Sequence, residues 1–404
     1  MKRFVLLMAS LAITAMFNGC SSSGSSADAP PDLRAIAGDN TVTLTWTADP
    51  DVEYWIFYGL GTGITPQNWL ERGGSAITNA KPPYVLGGLL NGVTYSFSVN
   101  GRKNGGPGGP GAPSQDVIPR IAGSSWTVGT PLGTSRLNGV SVAATTKAIV
   151  GAGGALYTVV GDAAGTAQNN PTAPADLYAV LNGGLSFVAV GAAGKILSTT
   201  DTTTWNARTS GTTADLYALA STGTSLYAAV GAGGTILTSN DGITWNIPVS
   251  ATTKNLYGAA YGTARYVAVG ADGTVVTSAD LITWQVVPVN TTRHLRAVAF
   301  GAVPLTLTTF TNTFVALGDA GTLLTSNDGL TWTLQPAMSA NNIAGVYYGG
   351  QFVAVGNAGS IFTSPDGITW TARSSGTTND LTSVVRTATG FVAVGAAGTY
   401  LIAQ

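Results

Sequence analysis

The stretch "VGAGGTILTSNDGITW", residues 230–245, decides how the chain is read, because both of its halves return along the sequence. Its opening marker, V-G-x-x-G, recurs at Val150, Val190, Val230, Val269, Val355 and Val394, with Leu317 replacing Val in one further copy. That makes seven copies, spaced by 38 to 48 residues. Its closing octet, "TSNDGITW" (238–245), returns as "TSADLITW", "TSNDGLTW" and "TSPDGITW". One unit reads as an apolar run ("LYAL"), a second ("LYAAVG"), a third ("GTILTS"), a DG turn and a final "TW". Four short strands in about 40 residues predict one blade of a propeller. Runs such as "FVAVG" are apolar on both sides of the pleat, as expected of a strand sandwiched between neighbouring blades. The longest spacing carries extra residues, "AVPLTLTTFTN" (302–312), between its first and second strands, where a longer hairpin is tolerated.

The tryptophans set the register. Trp205, Trp245, Trp284, Trp332 and Trp370 each follow the last Gly of their marker by 11 residues. In the first copy that position is Gly165, and in the seventh it would fall past residue 404. The missing last strand is therefore assigned to "SSWTVGT" around Trp126, so that a strand from the start of the repeat region completes the last blade and removes an open sheet edge.

The octet falls at the turn between the third and fourth strands. It resembles the Asp-box of sialidase-like and other propellers, in a form one residue shorter between Asp and Trp. Asp201, Asp241, Asp280, Asp328 and Asp366 occupy one equivalent position, whereas an active site needs different residues converging once. The expected role is architectural: the carboxylate accepts backbone N–H groups, the next residue takes a positive φ, and the Trp fills space between blades. Gly242, Gly329 and Gly367 suit that φ; Thr202 and Leu281 do not, so those two turns are expected to differ. Catalysis by the sialidase route is disfavoured, since glycoside hydrolysis needs a flanking pair of carboxyl groups and the chain's only Glu residues, Glu53 and Glu71, precede the repeats. One His, His294, and one Cys, Cys20, supply no His-based metal cluster and no Cys nucleophile in the repeats. The reading is of a protein that is not an enzyme and needs no cofactor or metal, with an Asp-only catalytic pair left open.

Composition limits the remaining classes. Hydrophobic residues make up 45% of the chain and charged residues 9%, and 54 Gly punctuate a sequence without helical periodicity, which predicts an all-β protein. With 18 Lys and Arg against 19 Asp and Glu there is no basic stripe to neutralise phosphates, so no nucleic-acid partner is expected. The N-terminus, "MKRFVLLMASLAITAMFNGC", has a basic start, an apolar run too short to span a membrane and a terminal Cys. It resembles the signal and lipobox of bacterial lipoproteins. The resemblance implies a signal peptide over 1–19, lipidation of Cys20 and export to a lipid-anchored position, the outer membrane being favoured because Ser21 is not the Asp that retains many lipoproteins. Residues 20–30 read as a flexible tether. Residues 31–120 alternate like a small β-sandwich, and "LLNGVTYSFSV" (89–99) resembles the fibronectin type III pattern, with Trp46 as the buried strand Trp and Tyr95 at the later Tyr position. Residues 104–113, "NGGPGGPGAP", are assigned to the loop before its last strand. Residues 121–404 form the seven-bladed propeller of four-stranded blades.

The whole repeat resembles the propellers of photosystem II assembly factors and their bacterial relatives. That implies a noncatalytic platform that holds or assembles another envelope component, the partner being an envelope protein or, alternatively, a surface glycan bound by an adhesive protein. The candidate binding surface starts from the residue before each first strand: Arg136, Asp176, Asp215, Asn255, His294, Asn342 and Asp380, with Arg296 close by. These starts should surround the mouth of the central channel, on the face also built by the links between blades and the V-G-x-x-G turns. Their polar side chains either cap strand ends or meet a ligand, and the Thr pairs of the links, such as Thr212 with Thr213, satisfy backbone groups or do the same.

Overall fold

The computed structural model describes residues 24–38, 40–90, 93–119, 122–224, 226–304 and 310–403, and divides into two compact units, Met1–Arg120 and Ile121–Gln404. The signal segment and Cys20 lie outside the described residues. The only helical elements among the described residues are three-residue 3-10 turns, so the chain is all-β.

In the first unit, one sheet runs Ser25–Ala27, Tyr95–Lys103, Glu53–Leu60, Ser75–Ala80, with Gln115–Val117 also paired to Tyr95–Lys103. The other runs Arg34–Gly38, Thr41–Thr45, Tyr84–Leu86. Alternate residues of both, among them Val42, Leu44, Ile56, Phe97 and Val99, form one buried core with Trp46 against Tyr54. The Tyr95 hydroxyl accepts the Leu90 N–H at 3.2 Å and so fixes the preceding corner. Residues 104–113 form a loop, as expected. The reading of 20–30 as tether needs correction: Ser25–Ala27 is a strand, pairing Ser25 with Lys103 and Ala27 with Gly101. Edge pairing uses backbone groups, so it needs no large apolar side chains, and a Cβ on Gly101 would stand 3.2 Å from that of Ala27.

In the second unit each blade is an antiparallel meander; the second blade runs Leu177–Asn182, Phe187–Gly191, Ile196–Thr199, Asn206–Arg208. Each first strand packs on the first strand of the next blade, and Leu381–Arg386 of the seventh packs on Leu137–Ala143 of the first. Between them lie seven seam cores, each drawn from two adjacent blades. In Phe187–Gly191, Phe187 and Ala189 face one seam while Val188 and Val190 face the next, which is why the run is apolar throughout. The fold is a seven-bladed β-propeller.

The ring closes without a covalent link. Trp126–Val128 completes the seventh sheet beside Tyr400–Ala403, with Trp126 opposite Ala403 and Val128 opposite Leu401. Trp126 Nε1 donates to the Gly123 carbonyl at 2.8 Å, as Trp205 does to Thr202 at 3.2 Å and Trp370 to Gly367 at 3.1 Å. Ala122–Trp126 thus reproduces the second half of the repeated turn, with Ala122 in the place of the Asp. No carboxylate is needed where the chain does not run on from the third strand into the fourth, and Gln351 Nε2 instead donates to the Ala122 carbonyl.

Two blades depart from the expected four strands and their packing. In the third, the outer strand shrinks to a single bridge between Thr238 and Asn246, because Pro248 soon follows and has no N–H for a ladder. In the first, Lys147 stands where the other blades place Phe187, Tyr227, Tyr266, Phe314, Phe352 and Phe391. Elsewhere that aromatic packs near the blade's Trp, as Tyr227 does against Trp245 with centroids 6.2 Å apart. The first blade has lost both partners. A Cβ on Gly165 would meet Leu132 at 2.4 Å, so Leu132 fills the space of the missing Trp. The buried Lys147 ammonium donates to the Gly161 carbonyl, and burial pushes its pKa down.

Candidate functional site

Antiparallel order puts the marker turns and the Asp turns at opposite ends of the third strand, hence on opposite faces. The Asp face is built from one repeated contact set. Asp241 Oδ1 accepts the N–H groups of Ile243 at 2.7 Å and Thr244 at 2.8 Å and the Ser239 hydroxyl at 3.0 Å, while Ser239 Oγ accepts the Gly242 N–H at 2.8 Å. Asp201, Asp280, Asp328 and Asp366 repeat it. These backbone donors hold the Asp201, Asp241 and Asp280 carboxyls below their ordinary pKa. For Asp328 and Asp366 the same donors outweigh burial, which acts in the opposite direction. The turns at Thr202 and Leu281 do not differ, contrary to expectation: their φ values are 61° and 64°, beside 71° at Gly242. The hydrogen bonds around the carboxylate hold the backbone there despite a left-handed cost of about 1 to 2 kcal/mol per non-Gly residue.

The opposite face carries the candidate binding residues. Both glycines of the marker are fixed by close approach: a Cβ on Gly191 would lie 2.0 Å from the Asp176 carbonyl, and one on Gly194 2.1 Å from that of Thr212 in the link to the next blade. The second of the two residues between them takes a left-handed φ, 50° at Ala193 and 54° at Asp272, which turns its N–H toward the neighbouring blade. There it meets the residue that precedes the next first strand. Gly153 donates to Asp176 Oδ1, Ala193 to Asp215 Oδ1, Gly233 to Asn255 Oδ1, Asp272 to His294 Nδ1, Ala320 to Asn342 Oδ1 and Ala358 to Asp380 Oδ1, at 2.6 to 3.0 Å. Six seams are thus latched by one side-chain acceptor each. The position needs an acceptor, not a charge, which explains why Asp, Asn and His alternate there. His294 must keep Nδ1 unprotonated to make its bond. At the seventh seam Arg136 offers no acceptor, and Gly398 donates to the Ser135 carbonyl at 2.8 Å. The links are capped from within: Thr212 Oγ1 accepts the Ala214 N–H and Thr252 Oγ1 that of Lys254, each at 3.1 Å.

Sequence reasoning named Arg296 but missed the other bulge residues that line the channel. In every blade the first strand slips register immediately after its buried Leu or Ile, as between Leu177 and Ala179. The residue left over at each slip is Asn138, Tyr178, Tyr217, Tyr257, Arg296, Ala344 or Thr382, and all seven line one axial cavity of about 220 Å³. A β-bulge leaves one residue unpaired and re-aims its side chain, and here all seven such residues lie in the lining of the axial cavity. The ring they form is lopsided. Tyr178 and Tyr217 have centroids 5.5 Å apart, Tyr217 and Tyr257 5.7 Å, and Tyr257 and His294 6.2 Å. Arg296 follows, with Nε donating to the Asp319 carboxylate. Across the axis are Ala344 and Thr382, whose hydroxyl is engaged with the carbonyls of Leu137 and Val394. The signal was present in the repeated "DLY", "DLY" and "NLY", a half-exposed Tyr directly after a buried Leu.

Charge is also uneven around the mouth. Lys254 pairs with Asp272 at 2.5 Å and Arg296 with Asp319, so two cations already carry their counter-ions. Asp176, Asp215 and Asp380 take part in no ion pair among the described residues. Burial first, then the Asp215 and Asp176 carboxylates, push the Tyr178 phenol above its ordinary pKa, and Tyr217 is raised by burial and by Asp215.

Residues 162–292 match the family model described as the DUF6242 β-propeller domain. No curated protein matches the chain. Among solved structures it is similar to YCF48 bound to D1 peptide, at 16% identity and TM-score 0.56 over 68% of this chain and 94% of that one. YCF48 from Cyanidioschyzon merolae is 18% identical with TM-score 0.54, over 69% and 98%. A streptogramin B lyase structure is 7% identical with TM-score 0.61, over 69% and 97%. At these identities the likeness is one of fold, shared by a peptide-bound protein and a lyase alike.

Proposed function

We propose that the protein is a noncatalytic binding or assembly scaffold of the cell envelope, exported and lipid-anchored through Cys20, whose propeller holds a segment of a partner protein at the channel mouth. The observation that carries the reading is the lopsided ring of bulge residues, where Tyr178, Tyr217, Tyr257 and Arg296 converge on one concave site while the surrounding polar residues serve the seams. Enrichment in Tyr and Arg is what binding hot spots show. The YCF48 structure with a D1 peptide supports a peptide as the kind of occupant this scaffold accepts. Against catalysis stand the absence of Glu from the propeller and the engagement of Asp176, Asp215, Asp380 and His294 with backbone N–H groups. The first unit, with its three-stranded sheet, its five-stranded sheet and the Tyr95 corner, serves in this reading as a fibronectin type III-like spacer between anchor and propeller.

The aromatic arc also favours a second reading, a surface glycan bound by stacking. Capture from detergent-solubilised envelope by the wild-type chain and by Tyr217→Leu, alongside a glycan array, separates the two. Protein partners lost in Tyr217→Leu with a blank array support the proposal. An array signal lost in the same variant, with unchanged protein capture, overturns it.

A further inference from the structure

The channel mouth sets aromatic rings beside carboxylates that make no ion pair among the described residues. Three tyrosines stand side by side on successive blades, tilted by 53° and 45° to one another, and form a curved wall along one side of the axial cavity. Aromatic faces carry negative electrostatic potential and attract cations. Two carboxylates back this wall: Asp176 and Asp215 each precede by two residues a ring of the arc. Each has one oxygen bound to a backbone N–H of the preceding blade and makes no ion pair among the described residues. The basic residues beside the arc do not offset this. Arg296 is held by Asp319 and Lys254 by Asp272. Asp176, Asp215, Arg136 and Arg293 all stand outside the residues that line the cavity, and of these four it is the two acids that act electrostatically on the rings of Tyr178 and Tyr217.

We infer that the arc of Tyr178, Tyr217 and Tyr257, backed by Asp176 and Asp215, is a recognition site for an organic cation, the Lys or Arg side chain of a partner segment entering the channel. The inference rests on the protein-binding reading of this face and names the residue type that face selects. The cavity of about 220 Å³ suits one long side chain rather than a folded element. An apolar side chain there would strip water from phenols and carboxylates without returning a hydrogen bond. A carboxylate would face Asp176 and Asp215 and find Arg296 already paired. A Lys or Arg places its stem against the rings and its head near the acids. The phenols of Tyr178 and Tyr217 are raised first by burial, and the carboxylates add to it in the same direction.

The test uses the full chain, with its tyrosine rings isotopically labelled, titrated with capped peptides acetyl-Gly-Gly-Xaa-Gly-Gly-amide in which Xaa is Lys, Arg, norleucine or Glu. The Lys and Arg peptides should shift the Tyr178, Tyr217 and Tyr257 signals with Kd at least about fivefold below that of norleucine, the Glu peptide binding weakest. Asp215→Asn keeps the latch acceptor that Asn255 and Asn342 supply natively and removes the charge; it should weaken the Lys peptide about threefold. Tyr217→Phe should retain binding and Tyr217→Leu lose it. Equal binding of Lys and norleucine peptides, or tighter binding of the Glu peptide, overturns the inference. If Tyr217→Leu abolishes partner capture while Lys and norleucine bind alike, the cation claim falls and the protein-binding reading stands. If the peptides discriminate in favour of Lys but Tyr217→Leu captures the same partners as wild type, the cation site stands and the partner reading falls.

Discussion

Asp215 separates the two roles that a polar residue at a blade start can have. Its Oδ1 accepts the Ala193 N–H at 2.8 Å, and Ala193 sits at φ 50° in a turn that aims this donor across the seam. Asp215→Ala removes a hydrogen bond to a charged acceptor, worth about 1 to 2 kcal/mol net, and leaves the donor to water. For a domain the size of the propeller, each 1 kcal/mol lowers Tm by about 2 to 4 °C, so the expected loss is about 2 to 8 °C. Asp215→Asn retains the acceptor and should stay within about 1 °C of wild type. Thermal melts of the purified chain, followed by tryptophan fluorescence at neutral pH, read both. If Asn destabilises as much as Ala, the charge rather than the acceptor holds the seam. If neither changes Tm, the latch contributes nothing and the position is open to a purely functional role.

Three further outcomes follow from the same contacts. At the seventh seam Arg136→Asn supplies the acceptor that the native residue lacks, and should raise the unfolding free energy measured in urea by about 0.5 to 1 kcal/mol; a decrease would show that the seam geometry there differs. Trp245→Ala should cost about 3 to 5 kcal/mol through the cavity left against Tyr227, and a Tm within 2 °C of wild type would remove that Trp from the seam core. The five Asp-turn carboxyls have folded pKa values below the unfolded value near 3.8, so between the two the unfolded chain binds more protons. Their contribution is therefore complete above about pH 4 and is lost as pH falls through the lowered values, and replacing all five by Asn should flatten the decline in Tm between about pH 4 and 2; an unchanged acid limb would contradict it.

Much of the propeller was legible because the repeat writes its marker seven times and its Asp turn five times. The fixed offset from marker to Trp left the seventh copy without its last strand and so placed the closing strand around Trp126, which pairs with Tyr400–Ala403. What one residue type could not reveal was a shared geometry reached by different side chains. Thr202 and Leu281 looked incompatible with a glycine-like turn, yet the hydrogen bonds around Asp201 and Asp280 impose it. Asp176, Asn255 and His294 looked varied enough to suggest ligand contacts, while all three present a lone pair to a backbone N–H. The channel ring was harder still, since a register slip is invisible in sequence and Asn138, Tyr178, Arg296 and Ala344 share no property except their place in it. Likewise Ser25–Ala27 joins a sheet through backbone pairing that composition does not announce.

The most direct test of the central claim places a photo-crosslinking amino acid at Tyr217 in the channel mouth and, separately, at Ile282, which is 72% exposed on the Asp-turn face, with irradiation of intact cells of the protein's own host. The account predicts discrete protein adducts from position 217 that an excess of unlabelled wild-type chain suppresses, and none of those adducts from position 282. Adducts of the same mass from both faces, or from position 282 alone, would contradict binding at the channel mouth.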